Sequence, residues 1–180
     1  TENCSVALLY DKSGPDSRTT ATPTLTNIRV RNSSETQRSE RVGLKLFNLG
    51  RVLVDNDSIG GCTTSIYIQN TSRETATPTL TNIRVRNSSE TQRVENVGIY
   101  LGSGVAGTLE NCDIRGAFTG IVIATGNQTK LGRNFIKNCG TGIRANGLNP
   151  QTIIRKQVFS LDPDIFQQFP LWPFRAFDIL

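Results

Sequence analysis

Histidine and methionine are both absent from this 180-residue chain. Because histidine is the commonest general base and metal ligand, its absence excludes a Ser-His-Asp triad or a histidine-based zinc site built from this chain alone. The four cysteines, Cys4, Cys62, Cys112 and Cys139, show no Cys-x-x-Cys spacing. We therefore predict buried thiols, with neither a metal nor a cofactor.

Long apolar runs are missing as well, and without a run of about 18 apolar residues we predict no membrane insertion. Hydrophobic residues make up only 36% of the chain, which is low for a thick core. Strand-forming Val, Ile and Thr alternate with Asn, Gly and Ser, which favours a thin, all-β architecture. Since the chain begins at Thr1 without an initiator methionine, we expect a processed product or a piece of a longer protein.

A tandem duplication is the strongest pattern in the sequence. Residues 20–38 recur unchanged as residues 75–93, an offset of 55 residues. A shorter template of aliphatic residues, asparagine and glycine divides each unit again, and stacking it predicts a parallel β-helix of about five to six coils. The predicted aliphatic columns are Leu25, Val54, Leu80, Leu109 and Leu131; Val30, Ile59, Val85, Ile114 and Ile136; Leu44, Ile66, Ile99, Ile121 and Ile143; and Leu46, Ile68, Leu101, Ile123 and Ala145.

Two polar columns accompany the aliphatic ones. We predict that the first is an inward-facing asparagine ladder, in which side-chain amides bond the coils above and below. The second carries residue types that tolerate a left-handed backbone at a tight corner. These columns are Asn27, Asn56, Asn82 and Asn111, and Asn32, Gly61, Asn87, Gly116 and Asn138.

The segment 109–116, followed by residues 120–123, resembles the repeats of the pectate-lyase-like superfamily of right-handed parallel β-helices. The resemblance extends over roughly residues 20–146. It implies a single-stranded right-handed solenoid, but this superfamily includes polysaccharide lyases, glycoside hydrolases, phage tailspikes and surface proteins without known catalysis. A lyase of this kind would need clustered aspartates for calcium, whereas Asp55, Asp57 and Asp113 fall in different columns.

The coil template predicts three regions. Residues 1–19 are the end of an upstream coil and a connecting loop, residues 20–146 are the β-helix, and residues 147–180 are a C-terminal cap or docking segment. The last region is rich in aromatic residues that could cover an open solenoid end or dock on a partner. The candidate docking residues are Phe166, Phe169, Trp172, Phe174 and Phe177.

Outward positions supply the candidate carbohydrate-binding residues. A column of cations would suit an anionic polymer, although exposed cations on strands commonly serve solubility. Two tyrosines on adjacent coils could stack on a sugar or simply stabilise the sheet. The net charge of +5 is modest and the cations lack interleaved aromatics, so we predict no nucleic-acid partner. These candidates are Arg31, Arg86, Arg115 and Lys137, with Tyr67 and Tyr100.

Asp55 and Glu110 form the best candidate pair of catalytic carboxylates. Their places in the template put them two coils apart, about 9–10 Å at the backbone, near the upper end of the separation in inverting glycosidases. One of them would need a raised pKa, and exposed carboxylates on a thin solenoid have little to desolvate them. A solvated pair without a catalytic role is the alternative.

These observations favour a structural or adhesive β-helix of a viral or phage appendage or a microbial surface fibre, with a surface polysaccharide as a candidate ligand. We expect an extracellular, cell-surface or virion location. The resemblance to tailspikes implies other protein subunits, with a homotrimer as one arrangement. The alternatives are a polysaccharide-degrading hydrolase or lyase, and an assembly protein that docks through its C-terminal segment. An enzyme is the less favoured reading because the acid/base constellation is incomplete.

Overall fold

The computed structural model describes residues 6–11, 22–31, 42–48, 50–72, 75–86, 96–147, 158–160 and 175–179. The regular elements in these ranges are β-strands, numbered β1 to β18 in chain order and arranged in three parallel sheets. The chain passes from sheet to sheet and returns to each one a coil later. The predicted all-β parallel solenoid is therefore confirmed.

Sheet A has seven strands, in the order β1 (Val6–Asp11), β4 (Val42–Phe47), β7 (Thr64–Gln69), β10 (Val97–Leu101), β13 (Thr119–Ile123), β16 (Thr141–Ala145) and β18 (Arg175–Ile179). Sheet B has five, β2 (Thr24–Thr26), β5 (Arg51–Asp55), β8 (Thr77–Thr81), β11 (Thr108–Glu110) and β14 (Lys130–Leu131). Sheet C has six, β3 (Arg29–Arg31), β6 (Ser58–Gly60), β9 (Arg84–Arg86), β12 (Asp113–Arg115), β15 (Phe135–Lys137) and β17 (Val158–Ser160).

The register of the sheets reproduces all four predicted aliphatic columns. Leu80, for example, lies beside Val54 on one side and Leu109 on the other, and Ile99 lies between Ile66 and Ile121. Successive side chains in a strand point to opposite faces, so each column lies on one side of its sheet. The columns form a single continuous core, and its central members are fully buried.

The predicted inward asparagine ladder is wrong in its orientation. Asn27, Asn56, Asn82 and Asn111 are exposed, and each has a positive φ between 54° and 59°. Asparagine tolerates this left-handed conformation better than most residues, so the column marks the corner between sheets B and C. Asn56 Nδ2 still donates to Asn27 Oδ1 at 2.8 Å, which links adjacent coils on the outside of the turn. The second turn column is as predicted at Gly61, Gly116 and Asn138, which all have positive φ; Asn32 and Asn87 lie outside the described residues.

The polar groups inside the corner come from a different column, one residue further along. Asn134 is fully buried: its Oδ1 accepts from the Cys112 backbone N–H at 3.1 Å and its Nδ2 donates to the Leu109 carbonyl at 3.1 Å. Asp57, in the same column, accepts from the Ile28 N–H at 2.7 Å. Its other oxygen, Oδ2, has no hydrogen-bond partner. Burial, opposed by the Ile28 hydrogen bond, raises the pKa of Asp57 above its ordinary value.

The ladders extend beyond the predicted β-helix at both ends. β1 pairs in parallel with β4, while β17 and β18 pair with β15 and β16. Phe177 lies in β18, in register with Ile143, so its backbone belongs to sheet A. The other four candidate docking residues, Phe166, Phe169, Trp172 and Phe174, lie outside the described residues. Across the ranges that the structure describes, there is no helix with the length and apolarity needed to cross a membrane.

Candidate functional site

The candidate carboxylates lie on the outer face of sheet B, on strands β5 and β11. Asp55 is in register with Thr81, and Thr81 with Glu110, so the predicted separation of two coils holds. Asp55 Oδ1 accepts a hydrogen bond from Thr81 Oγ1 at 2.6 Å and another from Asn82 Nδ2 at 2.8 Å. These two hydrogen bonds lower the pKa of Asp55. Asp55 is therefore held as a carboxylate and does not suit the role of general acid.

Glu110 lies at the surface of the same face, with its side chain beside Gly132, and Thr81 separates it from Asp55. The structure thus brings the two predicted residues to one face, where Asp55, as a carboxylate, could act only as a base.

A shallow groove of about 470 Å³ runs along the same face of sheet B. It lies beside the column of Asp55 and Glu110. Its lining includes Leu53 and Arg51, two and four residues before Asp55, and Thr108, two residues before Glu110. Threonine hydroxyls and one guanidinium supply its polar groups. The lining residues include Thr22, Arg51, Leu53, Thr77, Thr79 and Thr108.

The two predicted sugar-stacking tyrosines lie on the outer face of sheet A and contact each other directly. The rings of Tyr67 and Tyr100 are parallel within 4°, with centroids 4.8 Å apart. Lys45 Nζ lies 5.7 Å from the centroid of Tyr67, and Phe47 packs against the same ring at 5.8 Å. Tyr67 is thus covered on both of its ring faces. The ring face of Tyr100 that is turned away from Tyr67 is directed toward Val122 of the next coil.

The predicted column of cations is present on the outer face of sheet C, where Arg31, Gly60, Arg86, Arg115 and Lys137 are in register. Two of its members are engaged by one carboxylate. Asp113 Oδ2 lies 2.8 Å from Arg86 and 2.7 Å from Arg115, whose Nε also donates to Asp113 Oδ1 at 2.8 Å. Although partial burial opposes ionisation, the hydrogen bonds from Arg115 and Arg86 hold the pKa of Asp113 below its ordinary value.

Sequence reasoning missed two further cations on this face. Arg29 and Arg84 occupy the neighbouring outward column, together with Ser58 and Asp113. The signal was present, because both arginines belong to the repeated tripeptide Arg-Val-Arg that also supplies Arg31 and Arg86. In a strand, residues two apart share a face, so the tripeptide places two arginines side by side.

The described residues contain neither a cluster of metal ligands nor an exposed thiol. Cys62, Cys112 and Cys139 are buried free thiols, as predicted, and burial raises the pKa of Cys112 to about 12 and that of Cys139 to about 11. Cys4 lies outside the described residues. The three aspartates that a calcium-dependent lyase would have to cluster are separated: Asp55 is outside sheet B, Asp57 is inside the stack, and Asp113 is outside sheet C. The described residues contain no group of three acidic or cysteine side chains that could hold a metal ion.

Comparison with known proteins identifies the fold but no individual relative. A family model described as a right handed beta helix region matches residues 72–162, half of the chain. No curated protein and no solved structure matches it significantly. The match begins just before the second copy of the duplication and continues through β17. The narrower pectate-lyase-like resemblance stays a prediction, while the matched residues and the three parallel sheets show that the chain belongs to the right-handed β-helix family.

Proposed function

We propose that this chain is a non-catalytic structural or adhesive segment of a β-helical appendage, on a virus or phage or on a microbial surface, and that its outer surface contacts glycans. The observation that carries the proposal is the uninterrupted parallel ladder of sheet A, in which the duplicated segment lengthens the stack and leaves the core columns intact. Asp55, which Thr81 and Asn82 hold as a carboxylate, does not supply the general acid that glycoside hydrolysis requires.

The uninterrupted ladder supports a shaft. Sheet A keeps one parallel order from β1 to β18, and the duplicated segment enters it without disturbing the core columns. In a solenoid each coil contacts mainly its neighbours, so adding coils lengthens the molecule while leaving its cross-section unchanged. Duplication of an entire two-coil unit is what lengthening of a shaft requires.

The glycan contact that we propose lies on sheet A at Tyr100. Stacking on Tyr67 fixes the plane of the Tyr100 ring, so a sugar that contacts the exposed part of that ring need not order it first. Val122, the next residue of the column, is only 8% exposed although it lies on the outer face, so the sugar would contact the edge of the Tyr100 ring and not a face above Val122. Lys45 and Phe47 lie on the far side of Tyr67 and support the stack.

The proposal is tested by incubating the purified chain with neutral and acidic polysaccharides while measuring both retention on the immobilised polymers and release of reducing ends. We expect retention without release, and loss of retention on neutral polymers in Tyr100→Ala. Tyr67→Phe is the matched control, because it keeps both rings stacked. Release of reducing ends that disappears in Asp55→Asn or Glu110→Gln would replace this function with polysaccharide hydrolysis.

Polysaccharide degradation is the second candidate, and the groove on sheet B favours it. The groove lies on the same face as Asp55 and Glu110, beside their column, so a bound polymer could lie near both carboxylates. Arg51 could contact an acidic sugar there. This candidate needs a proton donor that the described residues of the groove do not offer, since its polar lining is threonine and arginine.

The proposed appendage role also implies a cellular location and protein partners. We propose an extracellular, cell-surface or virion location and association with other subunits, with a homotrimer as one arrangement. Docking through Phe166, Phe169, Trp172, Phe174 and Phe177 belongs to the same proposal. Sedimentation of the chain and of a variant in which Phe166, Phe169, Trp172 and Phe174 are changed to Ser would separate the two roles of this segment: a folded chain that no longer forms oligomers supports docking, whereas aggregation supports a cap.

A further inference from the structure

Three arginines surround a cleft on the outer face of sheet C, and we define the Ser58 cleft as Ser58 and Gly60 with Arg29, Arg31 and Arg84. Ser58 lies between Arg29 and Arg84 in one column, and Gly60 lies beside Arg31 in the next. Arg29 and Arg84 are two strands apart, about 9–10 Å at the backbone, and Arg29 and Arg31 are about 6–7 Å apart along their strand. All three arginine side chains are exposed and long enough to reach over the small residues between them.

Backbone packing prevents a side chain at the centre of the cleft. A Cβ atom added at Gly60 would lie 2.6 Å from the carbonyl oxygen of Arg86, which is closer than real Cβ atoms approach. Position 60 therefore cannot carry a side chain without a shift of the adjacent strand. Ser58 is half-buried and contributes only a hydroxyl. Among the described residues, the centre of the cleft thus carries no side chain larger than a serine.

The charges in the cleft are not balanced within the described part of the chain. Arg86 is engaged by Asp113, but no carboxylate of the described residues lies within ion-pair distance of Arg29, Arg31 or Arg84. Three guanidinium groups on neighbouring positions of one face repel, and an anion between them relieves that repulsion. Each guanidinium presents its donors in a planar fork suited to an oxyanion.

The second copy of the duplication contains the carboxylate that the first one lacks. At the offset of 55 residues, Ser58 corresponds to Asp113 and Gly60 to Arg115. Asp113 bonds Arg86 of the preceding coil, which is the equivalent of Arg31. An aspartate at position 58 would accordingly reach Arg31 in the same way. The molecule therefore carries one closed cluster and one open cluster built on the same backbone.

We propose that the Ser58 cleft is an oxyanion site and that its ligand is a sulfate ester group of a sulfated polysaccharide. A sulfate ester presents three terminal oxygens, which matches three surrounding arginines better than the two oxygens of a carboxylate. Nucleic acid fits less well, because the aromatic side chain on this face among the described residues is Phe135, three coils from Ser58, whose ring lies under Arg133 at 5.1 Å. This inference deepens the proposed glycan contact and uses a different face from Tyr100.

The test measures binding of dextran sulfate, unsulfated dextran, polygalacturonate and single-stranded DNA across a salt series. Ser58→Asp should close the cleft and lower the affinity for dextran sulfate about tenfold or more. Ser103→Asp adds the same charge at an exposed turn outside sheet C and is the matched control; it should retain most of the affinity. Asp113→Ser opens the second cluster and should raise the affinity.

Several outcomes would overturn the site. Equal losses in Ser58→Asp and Ser103→Asp would show that only net charge matters, and tighter binding of DNA or polygalacturonate would assign the cleft to another polymer. If Ser58→Asp does not fold, Arg29→Gln and Arg84→Gln, which alter exposed side chains, should each lower the affinity for dextran sulfate. Release of reducing ends is measured in the same samples: it would contradict the proposed function without affecting the binding result, so the two failures are distinguishable.

Discussion

Residues 22–31 and 77–86, the parts of the two identical copies that the structure describes in both, occupy the same sheets but are not buried alike. Leu80 is fully buried, whereas Leu25, at the same place in the first copy, is half-buried. Val85 and Val30 differ in the same way. The reason is their position in the described stack: β8 and β9 each have a strand on both sides, while β2 and β3 end their sheets. In a solenoid, burial depends on the neighbouring coils as much as on the segment's own sequence.

The two copies also lead into different surface residues. After the identical residues, the first unit continues to Ser58 and Gly60 and the second to Asp113 and Arg115. The core positions stay aliphatic in both, since Ile59 and Ile114 are fully buried. Divergence of the two units has thus changed the surface charge and preserved the core. As a result, the same backbone carries the closed cluster at Asp113 and the open cluster at Ser58.

The largest expected effect tests the difference in burial directly. Leu80→Ala should destabilise the chain by about 2–5 kcal/mol, because it leaves a cavity between two packed coils. Leu25→Ala should cost clearly less, since its side chain is already half exposed. Urea unfolding of the two variants gives both values. Equal costs would contradict the description of β2 as a terminal strand and would indicate that further coils cover it.

Asp57 provides the next comparison, because its equivalent in the second unit is the buried thiol Cys112, whose neighbour in the same column is Asn134. We expect Asp57→Asn to stabilise the chain by about 1 kcal/mol near neutral pH, since an amide can bond where the Asp57 Oδ2 atom has no partner. The reverse change, Asn134→Asp, should destabilise it by about 1–3 kcal/mol. Thermal unfolding of both variants is the measurement.

The pH dependence of Asp57 has a definite sign. Its folded pKa is raised, so the folded chain binds the proton more tightly than the unfolded chain does. The resulting stability is fully present below the unfolded value of about 3.9 and is lost as pH rises through the folded pKa. The gain from Asp57→Asn should therefore grow from acid to neutral pH. A gain that is constant with pH would show that Asp57 is not desolvated.

Asp113 should show the opposite sign. Its folded pKa is lowered, so its contribution is present above the unfolded value and is lost as pH falls through the folded value. Because Arg86 and Arg115 are about two-fifths exposed, solvent screens the pairs, and Asp113→Asn should cost only about 0.5–1 kcal/mol at neutral pH. The cost should vanish in acid. Equal effects of Asp113→Asn and Ser58→Asn would remove the contrast between the two clusters.

The smallest effect concerns the tyrosine stack on sheet A, where Lys45 and Tyr67 of the first unit correspond to Tyr100 and Val122 of the second. Tyr67→Phe removes the hydroxyl contact with Gln69 and keeps both rings. We expect a loss of about 0.5 kcal/mol or less in urea unfolding. A loss as large as that of Tyr67→Ala would show that the hydroxyl, and not the stacking, holds the cluster together.

The sequence was sufficient for the core because aliphatic periodicity and the offset of the duplication determine the register. It was less informative about the turns. Asn27 and its equivalents were predicted to point inward since amide ladders and left-handed corners favour the same residue, and only the backbone φ separates the two. The pairing of Asp113 with Arg86 depends on a diagonal contact between coils, which the column pattern does not give.

The central claim is that the chain is a glycan-binding shaft without hydrolytic activity, and polymer length is its most direct test. Neutral and acidic polysaccharides would be incubated for an extended time with the wild-type chain and with the Asp55→Asn, Glu110→Gln double variant, and polymer size would then be measured by chromatography. We predict the same, unshortened length distribution for both proteins. Shortening by the wild type that the double variant does not produce would contradict the claim and identify a polysaccharide-degrading enzyme.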